Sequence, residues 1–193
     1  MSLDLVILGP PGAGKGTQAD LVSADAGIPH IATGDMLREA MQDETPLGLE
    51  VKPIYDAGDL IPDELMVGLI RERLSQPDTE AGFILDGFPR TLPQAEALDE
   101  MLAEIDRVLS AVLLFDLPEE VAVERLLGRA REQGRSDDTP EVIRHRLEVF
   151  HAKTKPVVDY YRSKGLLVDI RAERPVDEVL AEVQQVVAAA GQR

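Results

Sequence analysis

Residues 3–17, LDLVILGPPGAGKGT, decide the fold of this chain. Their first six residues form a short, mostly apolar run, which is typical of a fully buried strand in a parallel sheet. Glycines and prolines then bend the chain at GPPGAG, and the residues from Gly16 onward resemble a helix start. A strand, a glycine-rich turn and a helix therefore follow one another within a few residues.

The turn fits a phosphate-binding loop. Gly9, Gly14 and Lys15 match the pattern G-x-x-x-x-G-K, in which backbone N–H groups face a concavity and the lysine reaches the outer phosphates. The N-terminus of the following helix adds a partial positive charge. The pattern usually continues with Ser or Thr, but here Gly16 takes that place and Thr17 follows. We expect phosphate binding, and the metal-binding hydroxyl of the general pattern stays open.

Composition limits the class of protein. A chain of 193 residues suits one domain with a sizeable core. It contains no cysteine, so it has neither disulfides nor a thiolate zinc site. No apolar run is long enough for a membrane span and no signal peptide is evident, which favours a cytoplasmic location. The net charge of −16 argues against binding to nucleic acids or anionic membranes, so the cations needed for phosphates should gather in one cleft.

Strands alternate with helices along the chain, which predicts a parallel sheet covered on both faces with ligands at the carboxyl ends of its strands. One strand is expected at 108–115. Thr33 or Asp35 is expected to cap a helix, Pro62 to occupy the first position of another, and Pro156 to kink a third.

A second charged turn follows the apolar strand that ends in LDGFPR. Asp86 lies at the carboxyl end of that strand, where a carboxylate can hold Mg²⁺ through water beside phosphates. Its alternative role is that of a capping or turn residue. Arg90 follows four residues later at the same edge of the predicted sheet.

An arginine cluster surrounds a short polar loop near residue 134. Arg125 and Arg129 share one helix face, whereas Arg144 and Arg146 are two residues apart, so only one of those two is expected to face the cleft. We interpret three other arginines as solvated surface residues: Arg107, Arg162 and Arg193. No histidine has a spacing typical of a metal site or a nucleophile pair, and none is assigned a role: His30, His145 and His151.

Five motifs in register resemble adenylate kinase, a member of the nucleoside monophosphate kinase family of P-loop kinases: GPPGAGKGTQ (9–18), TGDMLR (33–38), GDLIP (58–62), GFILDGFPRTLPQAEAL (82–98) and GRSDD (134–138). The resemblance implies a three-layer α/β P-loop kinase fold with a five-stranded parallel sheet, in a single domain spanning 1–193. It also implies a small helical AMP-binding excursion at 33–61 and a short lid at 128–138, because five residues separate Arg129 from Arg135.

The same resemblance assigns site residues. It implies catalytic roles for Lys15, Arg90, Arg129, Arg135 and Arg146. It implies ATP binding by Gly12, Ala13, Gly14, Lys15, Gly16, Thr17, Arg125, Arg129 and Arg174. It implies AMP binding by Thr33, Arg38, Asp59, Leu60, Ile61, Gly87, Arg90, Gln94, Arg135 and Arg146. The amide of Gln94 offers the donor and acceptor that match N1 and N6 of adenine.

The implied activity is reversible phosphoryl transfer from Mg-ATP to AMP, giving two ADP, with Mg²⁺ near Asp86 and no zinc. A monomer with no partner other than these nucleotides is expected. Two alternatives remain open at this point: a UMP/CMP kinase with the same phosphate loop and short lid, and a nucleotide-binding switch with slow turnover. A switch would leave Arg38 and Arg90 without a task, because it binds a single nucleotide.

Overall fold

The computed structural model describes residues 2–133 and 138–191. Within them lies a five-stranded, all-parallel sheet in the order β2-β3-β1-β4-β5, which confirms the predicted sheet. The apolar run at the start of the chain is its central strand. The strands are β1 (Leu3–Leu8), β2 (His30–Ala32), β3 (Gly82–Asp86), β4 (Ala111–Asp116) and β5 (Leu167–Arg171).

Helices connect the strands and cover both faces of the sheet, as the three-layer α/β class requires. They are α1 (Lys15–Ala26), α2 (Thr33–Gln42), α3 (Pro46–Ala57), α4 (Asp63–Leu74), α5 (Leu92–Ala103), α6 (Glu119–Gln133), α7 (Pro140–Val149), α8 (Lys155–Ser163) and α9 (Val176–Ala190). A 3₁₀ turn occupies Pro77–Thr79, and a π-helical stretch, Phe150–Thr154, joins α7 to α8. In the part of the chain that the structure describes, no helix is both long and apolar enough to cross a membrane.

Strand β1 distributes its side chains between two cores. Val6 and Leu8 pack in one buried cluster with residues of α4, α5 and α8, whereas Leu5 and Ile7 pack in a second cluster with residues of α1, α6 and α9. This alternation follows from the two-residue period of a strand. All four side chains are at most 3 % exposed.

The register brings the two charged turns together. Ile7 pairs with Asp86 across β1 and β3, and Ala32 pairs with the same residue across β2 and β3. The phosphate loop after β1 and the turn after β3 therefore lie side by side at the carboxyl edge of the sheet, where ligands bind in such folds.

Three element boundaries differ from the predictions. Helix α2 begins at Thr33 with Ala32 as its N-cap, so neither Thr33 nor Asp35 caps it, and the Thr33 hydroxyl instead donates to the Asp86 carbonyl at 3.2 Å. Pro62 is the N-cap of α4 rather than its first helical residue. The helix expected to kink at Pro156 is interrupted just before that proline, by the π-helical stretch.

The predicted strand 108–115 begins three residues later, at Ala111. That residue is the first of β4 to pair with β1, and Val108 is 78 % exposed. Of the predicted lid at 128–138, residues 128–133 continue α6, and 134–137 lie outside the described residues.

Arg107 is not a solvated surface residue, contrary to the prediction. Its guanidinium donates to both oxygens of Asp4, a carboxylate that is completely buried, and to the Thr79 carbonyl at 3.0 Å. The predicted surface position is confirmed for Arg162, which is 53 % exposed. Arg193 lies outside the described residues.

Candidate active site

A cleft of about 950 Å³ opens at the carboxyl edge of the sheet. The phosphate loop and the start of α1 form its floor, α2 and α3 form one wall, and α6 with α7 forms the other. A space of this size suits small-molecule ligands. The fold therefore gathers residues from distant parts of the sequence around one concavity.

The phosphate loop has the backbone shape that anion binding requires. Gly12 has a φ of +84°, and a Cβ there would lie 2.8 Å from the Ala122 carbonyl oxygen, so only glycine fits. Gly14 is the left-handed N-cap of α1, which leaves the first N–H groups of that helix directed at the loop. The Lys15 ammonium donates to the carbonyls of Gly9 and Pro10, each at 3.0 Å.

The pKa of Lys15 is set by burial and by the charges of its neighbours. Enclosure by the loop lowers the pKa of Lys15, the charge of Asp86 raises it, and the charges of Arg90 and Arg129 lower it further, for a net decrease. Several positive groups therefore face one volume, which a polyanionic ligand would neutralise.

Asp86 lies opposite the phosphate loop with 16 % of its side chain exposed. Burial raises its pKa, but the neighbouring His30 ring and the charges of Lys15 and Arg90 outweigh that effect, so the net pKa is lowered. His30 Nδ1 lies 2.7 Å from Asp20, and its Nε2 lies 3.7 Å from Asp86 Oδ2, a distance longer than a hydrogen bond. The carboxylate therefore stays charged beside the loop.

Beside the phosphate loop, a short network holds the turn after β3. Gln94 Oε1 accepts from the Arg90 backbone N–H at 2.8 Å, and Gln94 Nε2 donates to Asp63 Oδ1 at 2.8 Å. Arg90 Nε donates to the Gly87 carbonyl at 2.9 Å. Gln94 is 2 % exposed, so it is not a surface glutamine. Arg90 precedes α5, which contains Gln94, and the backbone hydrogen bond links the two residues.

On the wall formed by α6 and α7, one buried carboxylate joins two arginines. Asp138 is completely buried at its side chain and accepts from Arg129 Nε and Nη2, at 2.7 and 2.8 Å. It also accepts from Arg146 Nη1 at 3.1 Å. Arg146 in turn lies over the Tyr55 ring of α3, at 5.5 Å from the ring centroid. Asp138 thus fixes the spacing of two guanidinium groups at the cleft.

The cleft brings together most of the predicted site residues. On the side predicted for ATP it is lined by Gly12, Gly14, Lys15, Gly16, Thr17, Arg125 and Arg129. On the side predicted for AMP it is lined by Thr33, Arg38, Asp59, Leu60, Ile61, Gly87, Arg90, Gln94 and Arg146, and Asp86 lies between the two sides. Arg146 rather than Arg144 lines the cleft, as expected of that pair. Arg135 lies outside the described residues.

Two predicted residues do not line the cleft among the residues described. Ala13 is 2 % exposed and donates its backbone N–H to the Pro10 carbonyl at 3.3 Å. Arg174 turns its guanidinium toward Glu182 and donates from Nε to the Arg171 carbonyl at 3.2 Å. Each is held by contacts within the protein.

Sequence reasoning missed four residues at the site: His30, Tyr55, Asp63 and Asp138. Each of them contacts a residue that is distant in sequence or that lies across the lid loop. The local sequence pattern therefore gave little indication that it belongs to the site. Asp138 had a usable signal, because it ends the GRSDD motif between two predicted arginines.

Comparisons with known proteins agree with this geometry. The family model described as adenylate kinase matches residues 7–166. The chain is 49 % identical to the adenylate kinase of Leptospira biflexa over 175 residues, covering 91 % of this chain and 94 % of the relative. It is 49 % identical to that of Stenotrophomonas maltophilia over 179 residues, covering 93 % and 96 %. It is 45 % identical to that of Archaeoglobus fulgidus over 212 residues, covering 96 % and 98 %, and this longer alignment means that the Archaeoglobus protein carries residues that this chain lacks.

Proposed function

The chain belongs to the adenylate kinase family, and we propose how its residues carry out the reversible transfer of a phosphoryl group from ATP to AMP that gives two ADP. In this reaction an oxygen of the AMP phosphate attacks the γ-phosphorus of ATP. The bond from that phosphorus to the β–γ bridging oxygen breaks, and the bridging oxygen leaves with its negative charge on ADP. Both phosphates are already ionised, so the protein has to position them and neutralise charge rather than remove a proton.

The phosphate loop is proposed to hold ATP. The backbone of residues 12–17 and the N-terminus of α1 would bind the phosphates, and Lys15 would leave its two carbonyl partners for the outer phosphates. Arg125 would lie against the adenine and Arg129 on the phosphates. Ala13 and Arg174 are proposed to contribute backbone groups, since their side chains do not line the cleft.

The excursion 33–61 and the turn after β3 are proposed to hold AMP. Arg38 and Arg90 would bind the AMP phosphate, and Asp59, Leu60 and Ile61 would contact the base through backbone groups. Thr33 and Gly87 lie close together at this wall, since a Cβ on Gly87 would lie 2.4 Å from the Thr33 hydroxyl. Gln94 would read the edge of the adenine.

The transferring phosphoryl group is proposed to pass between two groups of cations. Lys15 and Arg90 approach from the sheet, and Arg129 and Arg146 from the opposite wall, with Arg135 of the lid completing the set. Preorganised charge of this kind is often the largest contribution to catalysis, and a closed site also excludes water that would otherwise accept the phosphoryl group.

The residues present fit a magnesium ion at Asp86. Its Oδ2 would lie 3.7 Å from a Cβ placed on Gly16, so the carboxylate faces the loop where the general pattern has a hydroxyl, and Thr17 lines the same cleft. Mg²⁺ often binds through one or two carboxylates with water and substrate phosphates, and no group of three His, Asp or Glu side chains suited to a metal occurs among the described residues. When bound with ATP, Mg²⁺ neutralises charge on the transferring phosphates. Asp86 would hold it through water, and the absence of zinc stays a prediction.

The observation that carries the proposal is the presence of basic side chains on two sides of one cleft, because two groups that can bind phosphates suit a reaction between two nucleotides. The test is ADP formation from Mg-ATP with AMP, UMP, CMP or GMP as acceptor, followed in a coupled assay. We expect kcat/KM for AMP to exceed that for UMP and CMP by at least about a hundredfold. Equal turnover of UMP would contradict the assignment of Gln94 and favour a pyrimidine acceptor. A monomeric state and a cytoplasmic location are proposed with it.

A further inference from the structure

Asp63 is not among the predicted site residues, but it contacts the predicted AMP-binding residue Gln94. It is the first residue of α4 and accepts two hydrogen bonds at Oδ1, from the Thr91 hydroxyl at 2.9 Å and from Gln94 Nε2 at 2.8 Å. Thr91 is the N-cap of α5, so α4 and the start of α5 are joined at this one oxygen atom.

The two ends of the Gln94 amide face a hydrogen-bond donor on one side and an acceptor on the other. Its oxygen faces the Arg90 backbone N–H, which can only donate, and its nitrogen faces the Asp63 carboxylate, which accepts when ionised. Turning the amide end for end would place two donors together at Arg90 and two acceptors together at Asp63. An amide has nearly the same shape in either orientation, so shape does not fix the positions of its oxygen and nitrogen. The hydrogen bonds to Arg90 and Asp63 fix them.

The orientation decides which purine the amide can recognise. After its protein contacts, the amide nitrogen retains one N–H and the oxygen retains one lone pair. Adenine has an acceptor at N1 and a donor at N6, whereas guanine has a donor at N1 and an acceptor at O6. An amide that pairs with adenine in one orientation must therefore be reversed to pair with guanine in the same pose.

We propose that Asp63 is a positioning residue for acceptor specificity: it locks the Gln94 amide in the adenine-reading orientation and so excludes guanosine monophosphate. The inference rests on the proposed function, in which Gln94 contacts the base of AMP. Asp63 itself need not touch the nucleotide, because it acts through the orientation of Gln94. A site with fixed hydrogen-bonding groups rejects a base that leaves them unpaired.

The test compares Asp63→Asn with Glu64→Gln. The asparagine has the shape of the aspartate but can present either a donor or an acceptor to Gln94, whereas Glu64 is an exposed acid in the same first turn of α4. For Asp63→Asn we expect kcat/KM for AMP to fall about tenfold, the GMP-to-AMP ratio of kcat/KM to rise at least about tenfold, and KM for ATP to stay unchanged. We expect Glu64→Gln to match the unmodified protein.

A double mutant separates positioning from a structural role. In a Gln94→Ala background, adding Asp63→Asn should leave the GMP-to-AMP ratio unchanged, because no amide remains to be oriented. An equal effect in both backgrounds would overturn the proposal. A second result would also overturn the proposal: Asp63→Asn leaves the GMP-to-AMP ratio of kcat/KM unchanged, whereas Gln94→Ala abolishes the preference for AMP. In that case the proposed function would stand, because Gln94 would still select the base.

If the proposed function fails, the results differ: the unmodified protein shows no preference for AMP, and Gln94→Ala does not change the GMP-to-AMP ratio of kcat/KM.

Folding of each variant is checked by urea denaturation, with Asp63→Ser as a second variant whose shorter side chain cannot reach the amide. If both Asp63 variants lose the fold while Glu64→Gln retains it, Asp63 is structural and the proposal is wrong.

Discussion

At the scale of the residue, several side chains of the cleft are held by polar groups that were not predicted to belong to the site. Asp138 holds Arg129 and Arg146, and Asp63 holds Gln94 from 31 residues away. The phosphate loop also holds its own lysine, since Lys15 donates to two carbonyls of the loop. Arg129, Arg146 and Gln94 are therefore oriented by carboxylates that the sequence did not predict to belong to the site.

Replacement of Lys15 tests the phosphate loop. We expect Lys15→Ala to lower kcat by about a thousandfold, because a positioned cation on a transferring group is typically worth several kcal/mol of the barrier. Lys15 makes its two hydrogen bonds within the loop and belongs to neither hydrophobic core, so the circular dichroism spectrum should not change. The matched control is Lys52→Ala, which removes an exposed lysine that pairs with Asp56 on α3. Near-normal turnover in a folded Lys15→Ala protein would contradict the assignment.

Arg107 and Arg162 offer a comparison between two arginines that look alike in sequence. Arg107→Ala leaves the fully buried Asp4 carboxylate without its ion-pair partner, which typically costs about 3–5 kcal/mol of unfolding free energy. Arg162→Ala removes an ion pair with both partners more than half exposed, worth at most about 1 kcal/mol. Urea denaturation of both variants measures the difference. Similar losses for the two would show that burial of Asp4 does not govern its energetics.

At the scale of the element, local pattern predicted most of the fold, and contacts between elements account for the rest. Apolar runs between turn residues are a local property, so the sequence located the strand before the phosphate loop and the strand that ends in LDGFPR. The resemblance to adenylate kinase implied the sheet of five. The start of β4 was misplaced because only pairing with β1 shows that the ladder begins at Ala111. Arg107 was misassigned because its partner Asp4 is 103 residues away. The motifs located most of the cleft, and the GRSDD motif contains Asp138, but the role of Asp63 becomes visible only once α4 and α5 are packed.

Helices α2 and α3 meet at a glycine that the sequence did not single out. A Cβ on Gly48 would lie 1.9 Å from the Ala40 carbonyl oxygen, so the two backbones touch at this point. We expect Gly48→Ala to force the helices apart, lower the unfolding free energy by about 1–3 kcal/mol and raise KM for AMP more than KM for ATP.

Gly68→Ala is the control for that substitution. Gly68 lies inside α4, and among the described residues no atom beyond its own stretch of helix lies within 4 Å of a new Cβ. Alanine there should therefore be neutral or stabilising by about 0.5–1 kcal/mol. Urea denaturation and initial rates at varied AMP and ATP compare the two variants. Equal KM increases for both nucleotides in Gly48→Ala would show that α2 and α3 do not form a separate AMP-binding unit.

At the scale of the whole molecule, basic side chains are enriched at the cleft. The chain has 36 acidic and 20 basic residues, whereas the described lining of the cleft has six basic side chains and six acidic ones. The basic ones are Lys15, Arg38, Arg90, Arg125, Arg129 and Arg146. The net charge of −16 implies self-repulsion across the rest of the surface, which opposes the compact state. The arginines and the lysine of the cleft attract phosphates at short range, while the acidic surface elsewhere repels other polyanions.

This distribution of charge predicts that salt stabilises the fold but weakens substrate binding. Raising NaCl from 0.05 to about 0.5 M should screen the repulsion between surface acids, and each kcal/mol of stability gained at the melting temperature should raise Tm by about 2–4 °C. The same salt should screen the arginine–phosphate contacts, so KM for ATP and AMP should rise. Sucrose, which stabilises by exclusion and carries no charge, is the control, since it should raise Tm without the increase in KM. A fall in Tm with salt would mean that attractive ion pairs such as Arg107–Asp4 outweigh the repulsion, and the surface charge would then be a minor factor in the stability of the fold.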